Sequence, residues 1–431
     1  MATSEKRIEN AGDKLYRCFK QKCRNITFQV TEACNYRCTY CYQHKKSSKV
    51  MDFDVAKQLI DEILTDDPKI SNYCSSKDAA GVILDFIGGE PFLAIDLIDQ
   101  ITDYFINKCI ELRHPWATRY YIMICSNGEL YFTPKVQKYI QKNINHLSLN
   151  ITVDGNKELH DTCRVRADGS GTYDQAIAAI QHWRDYYGRF MDSKLTVSPD
   201  NLPYLSKALI DMLEFGYDDI HFNPVYEEGW TLEHAKLYYK ELKKLADYLI
   251  EHKTLDNRTI SLFRTSSGHP LDPAQNNNFC GGANGNMLAV NYKGDLFPCL
   301  RYMESSLSDK QEPYTIGSVQ EGVSRQDRVN CLNCITRRSQ STDECFNCPI
   351  ASGCGWCSAY NYETYGTPNK RTTFLCDMHK ALTLALCYLW NNIYIQRESD
   401  ERYVLDIPKE WALKIIDESE YEYLKSLSER G

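Results

Sequence analysis

Apolar and polar positions follow two periods along the chain, one typical of buried strands and the other typical of amphipathic helices. Short apolar runs predict six strands, over Ile26–Val30, Gly81–Ile87, Tyr120–Cys125, Leu147–Val153, Lys194–Val197 and Asp219–Phe222. Stretches of helical period follow them, for example Asp54–Leu64, Tyr173–Tyr187 and Leu202–Phe215. Repeated units of strand then helix imply parallel pairing with right-handed crossovers.

Six such units, rather than eight, predict an α/β fold with a partial (β/α)6 barrel. In barrels of this type the chemistry gathers at the C-terminal ends of the strands. Polar motifs directly follow five predicted strands, at Cys34–Cys41, Gly88–Pro91, Ser126–Gly128, Asp154–Gly155 and Asn223–Pro224. The sequence therefore predicts a functional site at that end of the barrel.

The texture of the chain changes after a long helical stretch, Leu232–Glu251. Residues 254–376 are rich in Gly, Asn and Cys, with only short strands such as Met287–Asn291. Such a loop-rich region can be stabilised by bound metal where its core is thin. The predicted division is an N-terminal extension (1–24), the barrel (25–230), a helical linker (231–279), a cysteine-rich domain (280–380) and a C-terminal helical segment (381–431).

Composition excludes several classes of protein. The net charge of -8 over 431 residues argues against a nucleic-acid partner, which would favour a basic face. The N-terminus has no apolar signal segment, and the longest apolar candidate, Ala381–Ile395, is interrupted by Asn391 and Asn392. We therefore expect a cytoplasmic protein that does not act on a membrane.

Cysteine is the compositional anomaly, with 19 residues. In the cytoplasm clustered cysteines indicate metal or redox chemistry rather than disulfides. Three lie together, Cys34, Cys38 and Cys41, in a CxxxCxxC loop after the first strand. A four-iron cluster takes one ligand per iron, so three thiolates leave one iron open for a reactant. Spacing alone also allows a structural cluster or a zinc site with a distant fourth ligand.

The CxxxCxxC loop with an aromatic residue, Tyr40, before its last cysteine, followed by a Gly-Gly-Glu-Pro motif, resembles the radical S-adenosylmethionine (SAM) superfamily. The similarity extends from about Thr27 to Cys376. It implies that a [4Fe–4S] cluster on the three cysteines binds the amino and carboxylate groups of SAM. One electron then cleaves SAM to a 5′-deoxyadenosyl radical, which abstracts a hydrogen from the substrate.

Further motifs carry implied SAM contacts. The resemblance places Gly88, Gly89, Glu90 and Pro91 at the SAM amino group, and Ser126 and Asn127 near its ribose. Glycines allow close backbone approach, and Glu90 offers an acceptor to an ammonium group. Thr152 and Arg164 belong to a stretch similar to the SxDGxxxxHDxxR segment of peptide-modifying relatives, and could contact the SAM carboxylate. Asp154, His160 and Asp161 of that stretch could equally stabilise the barrel rim.

The C-terminal cysteines resemble the SPASM extension, which binds two auxiliary [4Fe–4S] clusters. By position, the resemblance gives Cys280, Cys299 and Cys357 to the first, and Cys345, Cys348, Cys354 and Cys376 to the second. Cys331 and Cys334 are additional. Either could be the fourth ligand of the first cluster, or both could form a zinc site with Cys345 and Cys348. The first cluster could also keep an open iron for a substrate thiolate.

Relatives with this extension mostly modify peptides. Leu300, followed by Arg301, stands where sulfatase maturases place an Asp, which lowers the sulfatase hypothesis. We expect oxidative crosslinking of a ribosomally made precursor peptide, foremost a Cys thioether, with flavodoxin or ferredoxin as electron donor. About 25 residues precede the first strand, too few for a leader-binding domain, so a leader would dock elsewhere or on a separate protein.

Other functions stay open from the sequence. A small-molecule radical SAM oxidase is one, and a peptide epimerase with Cys163 or Cys125 as hydrogen donor is another. A non-enzymatic iron–sulfur or zinc scaffold is a third. The sequence identifies no catalytic acid or base.

Overall fold

The computed structural model describes residues 23–191, 193–227, 229–278 and 280–429. Most of the predicted N-terminal extension, 1–24, lies outside the described residues. The chain divides into two compact units built from alternating segments. The first unit contains residues 1–35, 42–150 and 279–333, and the second contains 36–41, 151–278 and 334–431. The predicted domain boundaries at 230, 279 and 380 stay predictions.

The strands are β1 Cys23–Gln29, β2 Gly81–Ile87, β3 Tyr120–Ser126, β4 Leu147–Ile151, β5 Leu195–Val197, β6 Asp219–Ile220, β7 Phe222–Pro224, β8 Thr259–Ile260, β9 Met287–Val290, β10 Asp295–Phe297 and β11 Gly317–Ser318. The helices are α1 Phe53–Leu64, α2 Pro68–Ser71, α3 Ile95–Glu111, α4 Pro134–Asn143, α5 Lys157–Cys163, α6 Tyr173–Tyr187, α7 Leu205–Phe215, α8 Leu232–Glu251, α9 Gln326–Asn333, α10 Arg337–Gln340, α11 Asp343–Phe346, α12 Ser358–Tyr365, α13 Cys376–Gln396, α14 Lys409–Ala412 and α15 Glu418–Glu429. Short 3-10 turns cover Pro91–Ala94, Pro115–Ala117, Leu202–Tyr204, Thr254–Asp256 and Leu300–Tyr302.

A seven-stranded sheet forms the centre of the first unit, in the order β11-β10-β9-β1-β2-β3-β4. The first strand pairs in parallel with β2, and β2 pairs in parallel with β3. This confirms the mixed α/β class with a parallel-dominated sheet. The predicted strand at 287–291 is β9, and it extends the same sheet by pairing in parallel with β1. No local pattern indicated that pairing, because strand partners far apart in the chain share no local signal.

The core of the first unit lies on both faces of this sheet. Strand β2 is buried along nearly its whole length, as expected for a parallel strand covered on two sides. The rings of Phe28 and Phe86 stack at a centroid distance of 5.6 Å across β1 and β2. Helix α1 begins where the side chain of Asp52 accepts a hydrogen bond from the backbone N–H of Asp54.

The second unit contains two short parallel pairs, β5 with β7 and β6 with β8, and a long helical pair, α8 with α13. The predicted strand Asp219–Phe222 is therefore two strands, separated at His221, each with its own partner. The predicted helix Leu202–Phe215 starts as a 3-10 turn and becomes helical at Leu205. The apolar stretch Ala381–Ile395 forms most of α13, and many of its side chains are buried.

Within the described residues, no helix combines the length and apolar character that a membrane span requires.

Leu288 tests the contribution of β9 to the sheet. Its side chain is fully buried, so Leu288→Ala should lower the free energy of unfolding by about 2–5 kcal/mol through lost burial and a cavity. The same truncation at Leu413, which is 41% exposed, should change it by less than about 0.5 kcal/mol. Urea unfolding of both variants measures the difference; equal values would contradict a packed β9.

Candidate active site

The Gly-Gly-Glu turn that follows β2 packs tightly against the start of the first cysteine loop. The backbone N–H of Gly89 donates to Thr31 O at 3.1 Å, and that of Glu90 donates to Ala33 O at 2.8 Å. A Cβ on Gly89 would lie 2.5 Å from Ala33 O and 2.6 Å from the Cβ of Cys34. Only glycine fits there, so the turn and the cysteine loop hold each other in place.

The carboxylate of Glu90 is buried, at 1% exposure, and accepts hydrogen bonds from other residues of the chain. Its Oε1 accepts from Ser126 Oγ at 2.8 Å and from the N–H of Phe92 at 3.0 Å. Its Oε2 accepts from the N–H of Asn127 at 2.8 Å. Glu90 therefore joins the turn after β2 to the turn after β3, a structural role that the sequence did not indicate.

The Ser-Asn-Gly turn after β3 also reaches the first cysteine loop. Asn127 Nδ2 donates to Asn35 Oδ1 at 2.7 Å, directly after Cys34. Ser126 Oγ accepts from the N–H of Gly128 at 3.0 Å, and Gly128 has a φ of 82°. The side chains of Ser126, Asn127 and Glu90 thus form one hydrogen-bonded group in the first unit.

The remainder of the first cysteine loop, residues 36–41, is anchored within the second unit. The N–H of Arg37 donates to Val165 O at 2.8 Å, and that of Thr39 donates to Cys163 O at 2.9 Å. Tyr36 and Arg166 form an antiparallel bridge. Two of the predicted cluster ligands, Cys38 and Cys41, lie in this segment, whereas Cys34 belongs to the first unit.

Tyr40, which is half-buried, and the buried residues Asp154 and Arg164 form a hydrogen-bonded network beside Cys38. The Tyr40 hydroxyl donates to Asp154 Oδ2, and Arg164 Nη1 donates to the same hydroxyl at 2.9 Å. Asp154 Oδ1 accepts from the N–H of Thr196 at 2.9 Å. Arg164 Nε is buried without a hydrogen-bond partner among the described residues. The aromatic residue of the cysteine motif is therefore fixed by two residues of the stretch after β4.

The ionisable groups of this network shift one another's pKa values. Burial raises the pKa of Asp154 and of Tyr40, and the nearby Arg164 opposes both shifts. Burial by itself would lower the pKa of Arg164, but Tyr40, Cys38 and Asp154 raise it well above its usual value. A permanent cation therefore lies next to the Cys38 thiol, in the place where an anionic group would be stabilised.

His160 and Asp161 hold the stretch between β4 and α6. His160 Nδ1 accepts from the N–H of Asp154 at 3.1 Å, and its Nε2 lies 3.0 Å from Thr172 Oγ1. Asp161 Oδ1 accepts from the N–H groups of Thr172 and Tyr173. These contacts support the rim-stabilising alternative for both residues. Thr152 is buried in the same unit.

In the first unit, Cys280 and Cys299 both lie near the phenol of Tyr73. Burial raises the pKa of Tyr73, and the thiols of Cys299 and Cys280 add to that shift. A Cβ on Gly282 would lie 3.0 Å from Cys299 Sγ, so the turn after Cys280 packs directly on Cys299. Two of the three predicted ligands of the first auxiliary cluster are thus neighbours. The third, Cys357, belongs to the second unit.

The four predicted ligands of the second auxiliary cluster, Cys345, Cys348, Cys354 and Cys376 (the predicted four-cysteine site), all belong to the second unit. Burial raises the pKa of Cys376 to about 12, with Cys354 and Cys345 adding to the rise. Burial likewise raises the pKa of Cys354, and Cys345 and Cys348 add to it. The four predicted ligands of the second auxiliary cluster are therefore within electrostatic reach of one another.

The other predicted ligands are less enclosed. Cys331, in α9, and Cys334 are both exposed, and they belong to different units. No disulfide joins the described cysteines. Across the described ranges, no three His, Cys, Asp or Glu side chains are close enough together to hold a metal ion. The ligand sets of all three clusters therefore stay predictions.

Comparison with known proteins assigns part of the chain to a superfamily. Residues 28–203 match the radical SAM superfamily. The chain is 29% identical over 282 residues to the uncharacterized protein MJ0907 of Methanocaldococcus jannaschii. The aligned region covers 64% of this chain and 84% of MJ0907. It is 22% identical over 402 residues to the radical SAM cyclopropyl synthase TigE of Paramaledivibacter caminithermalis, covering 87% of this chain and 76% of TigE.

A solved structure shares the fold. It is native anSMEcpe with bound AdoMet and the Cp18Cys peptide, with a TM-score of 0.59 and 18% identity over 86% of this chain and 99% of that one. Residues 28–203 are thus a radical SAM domain, and the chain is related at low identity to radical SAM enzymes such as TigE.

Glu90→Gln tests the internal role of the Glu90 carboxylate. An amide has one acceptor oxygen, so at least one buried N–H or hydroxyl would lose its partner, and the free energy of unfolding should fall by about 1–3 kcal/mol. Glu111→Gln, at a carboxylate whose side chain is 65% exposed, should cost less than about 1 kcal/mol. Urea unfolding measures both variants. Equal effects would contradict the assignment of Glu90 as a buried brace.

His160 predicts a pH dependence of stability. Burial lowers the pKa of His160 well below its usual value, so below about pH 6.5 the unfolded chain takes up a proton that the folded chain does not. The free energy of unfolding should therefore fall as the pH decreases from 7.5 to 5.5, by at most about 1.4 kcal/mol per pH unit for this proton. His160→Gln should remove that part of the slope, while His252→Gln, at an exposed histidine, should leave the slope unchanged. Identical slopes in all three proteins would rule out a buried neutral His160.

Proposed function

We propose that this chain is a radical SAM peptide maturase that crosslinks a ribosomally made precursor peptide, forming a thioether from a Cys sulfur to carbon. The observation that carries the proposal is the hydrogen-bonded Tyr40–Asp154–Arg164 network inside a radical SAM domain. It fixes the aromatic residue of the cysteine motif and keeps a cation beside Cys38. A structural scaffold would have no use for an unpaired buried donor at this place.

The residues present fit the cofactors by their chemistry. Cys34, Cys38 and Cys41 would hold the [4Fe–4S] cluster, which when bound supplies the electron that opens SAM. Thr152 and Arg164 would bind the SAM carboxylate, and Arg164 keeps a buried donor, Nε, unused by the described chain. Glu90 accepts three hydrogen bonds from the chain, and a carboxylate offers about four acceptor sites, so the SAM amino group would bind to the backbone of the Gly88–Pro91 turn and to Glu90.

The peptide substrate is supported by the related fold, which in anSMEcpe is occupied by AdoMet and a peptide. The thioether is supported by the neighbouring Cys280 and Cys299 and by the four-cysteine site, which would hold two auxiliary [4Fe–4S] clusters. These would bind a substrate thiolate or accept an electron. Flavodoxin or ferredoxin would donate the first electron, and a peptide leader would dock on this chain or on a separate protein.

Two alternatives are weakened by the structure. Cys163 is fully buried and lies 3.6 Å from Ser198 Oγ, a poor position for the hydrogen donor of an epimerase. At the place where sulfatase maturases carry an Asp, this chain has Leu300 and then Arg301, whose guanidinium lies 4.6 Å from the centre of the Tyr42 ring. Cys125, which is half-buried, keeps epimerisation as the second candidate.

Co-expression without oxygen of the enzyme and a short Cys-containing peptide tests the proposal by mass spectrometry. The peptide should lose two hydrogens per linkage, and its linked cysteines should no longer react with an alkylating reagent. Cys38→Ala should abolish both SAM cleavage and linkage, whereas Cys299→Ala should spare some SAM cleavage and abolish linkage. Cys387→Ala, at a buried cysteine of α13 outside the predicted ligand sets, is the control and should leave the linkage intact.

The outcomes separate the candidate functions. Two lost hydrogens with thiols still free would indicate a carbon–carbon or ether bond and contradict the thioether. A peptide mass that is unchanged in H2O but increases by deuterium incorporation when the reaction runs in D2O would identify epimerisation. Normal linkage by Cys38→Ala would refute the radical mechanism altogether.

A further inference from the structure

Buried donor atoms without a hydrogen-bond partner are concentrated in residues 337–341 of the second unit. They are Arg337 Nε, Arg337 Nη1, Gln340 Nε2 and Ser341 Oγ, in or directly after helix α10. Arg337 is 4% exposed and Gln340 is 5% exposed. Among the residues that the structure describes, Arg337 alone has two such atoms. The segment therefore offers several hydrogen-bond donors that the chain itself does not use.

The three side chains belong to one face of α10. Positions i, i+3 and i+4 of a helix are neighbours on its surface, and Arg337, Gln340 and Ser341 have this spacing. The amide of Gln340 is oriented by Asn361, whose Nδ2 donates to Gln340 Oε1 at 3.4 Å. The carbonyl end of the Gln340 amide is thus engaged, and its donor end is left for another partner.

The buried guanidinium of Arg337 has no carboxylate to neutralise its charge. Its central carbon lies 4.2 Å from the centre of the Phe346 ring, and its Nη2 donates to Asp272 O at 3.4 Å, which is a long hydrogen bond. The carboxylate of Asp272 accepts instead from the N–H of Ala274 at 2.8 Å. Within the described ranges, no Asp or Glu side chain forms an ion pair with Arg337.

The next residue, Arg338, shows the more usual arrangement for an arginine. Arg338 is exposed, and its Nη2 forms an ion pair with Asp343 Oδ1 at 2.6 Å. Its guanidinium carbon lies 4.9 Å from the centre of the same Phe346 ring. Two adjacent arginines therefore contact one ring, but the carboxylate belongs to the exposed arginine and not to the buried one.

A buried, unneutralised charge requires compensation. Removing a guanidinium from water is costly unless an opposite charge and new hydrogen bonds replace the lost water. A buried water molecule can accept or donate a hydrogen bond at Gln340 or Ser341, but it leaves the charge of Arg337 in place. One negative charge would neutralise Arg337 and accept hydrogen bonds from the unused donors.

We propose that Arg337, Gln340 and Ser341 form a binding site for a small monovalent anion, either chloride or a carboxylate group. The anion would hold α10 against α11, because Arg337 already contacts Phe346 of that helix. The inference goes beyond the proposed function and does not depend on it. Binding forms and breaks no covalent bond and transfers no electron.

Urea unfolding of the full-length chain tests the site while potassium gluconate is replaced by potassium chloride or potassium formate at constant ionic strength. Gluconate is too bulky for a buried site. Chloride is the probe for an inorganic ion, and formate is the probe for a carboxylate. The measured quantity is the urea concentration at the midpoint of unfolding. Iron-free and iron-loaded protein are both measured without oxygen.

Three variants separate this site from general effects of salt. Arg337→Gln removes the buried charge. Gln340→Glu supplies a carboxylate three residues after Arg337, on the same face of α10, and so replaces the anion from within the chain. Arg338→Gln is the matched control, because Arg338 is an exposed arginine that contacts the same ring.

We expect the midpoint of the wild type to rise in chloride, in formate or in both, and the salt that acts identifies the source of the negative charge. The rise should be lost in Arg337→Gln and in Gln340→Glu, and it should be kept in Arg338→Gln. In gluconate alone, Gln340→Glu should unfold at a higher urea concentration than the wild type.

Two results would overturn the inference. One is a midpoint that responds to the anions equally in the wild type and in Arg337→Gln, or in neither. The other is a response confined to iron-free protein, because a cluster rather than a free anion would then face the guanidinium. If Arg337→Gln does not fold, Gln340→Glu decides, and a full wild-type response in that variant would refute the site.

Discussion

The candidate site depends on one constraint, which is that a buried charge must meet an opposite charge or a hydrogen bond when it leaves water. At the first cysteine loop, Arg164 meets this constraint only in part. Its guanidinium donates to the Tyr40 hydroxyl, and Tyr40, Cys38 and Asp154 raise its pKa. Its buried Nε has no hydrogen-bond partner among the described residues. An anionic group beside Cys38 would give the remaining donor, Arg164 Nε, a partner. The proposed cluster with its SAM carboxylate satisfies that requirement.

The same constraint recurs at the four-cysteine site with the balance reversed. There burial, with a smaller effect of neighbouring thiols, raises the pKa of Cys354 and of Cys376. Glu90, in the first unit, meets the constraint within the chain, because its buried carboxylate accepts hydrogen bonds from Phe92, Ser126 and Asn127. The hydrogen bonds of Glu90 hold the turns in position, whereas the unpaired Nε of Arg164 lies where we propose that SAM binds.

Local sequence patterns predicted the strands and helices, but they did not predict the contacts between residues far apart in the chain. The strand Gly81–Ile87 and the helix Tyr173–Tyr187 lie where the apolar periodicity predicted them. The pairing of β9 with β1 was missed, because a short strand carries no signal of its partner. The motif positions of Tyr40 and Arg164 were recognised, but their mutual hydrogen bond follows only from the fold.

The central claim is that the first cysteine loop supports reductive cleavage of SAM. The most direct measurement is the amount of 5′-deoxyadenosine formed by the iron-loaded, full-length chain with SAM and a strong reductant in the absence of oxygen. We predict formation of 5′-deoxyadenosine and methionine in equal amounts. Protein that binds iron and SAM but yields no 5′-deoxyadenosine under these conditions would contradict the account.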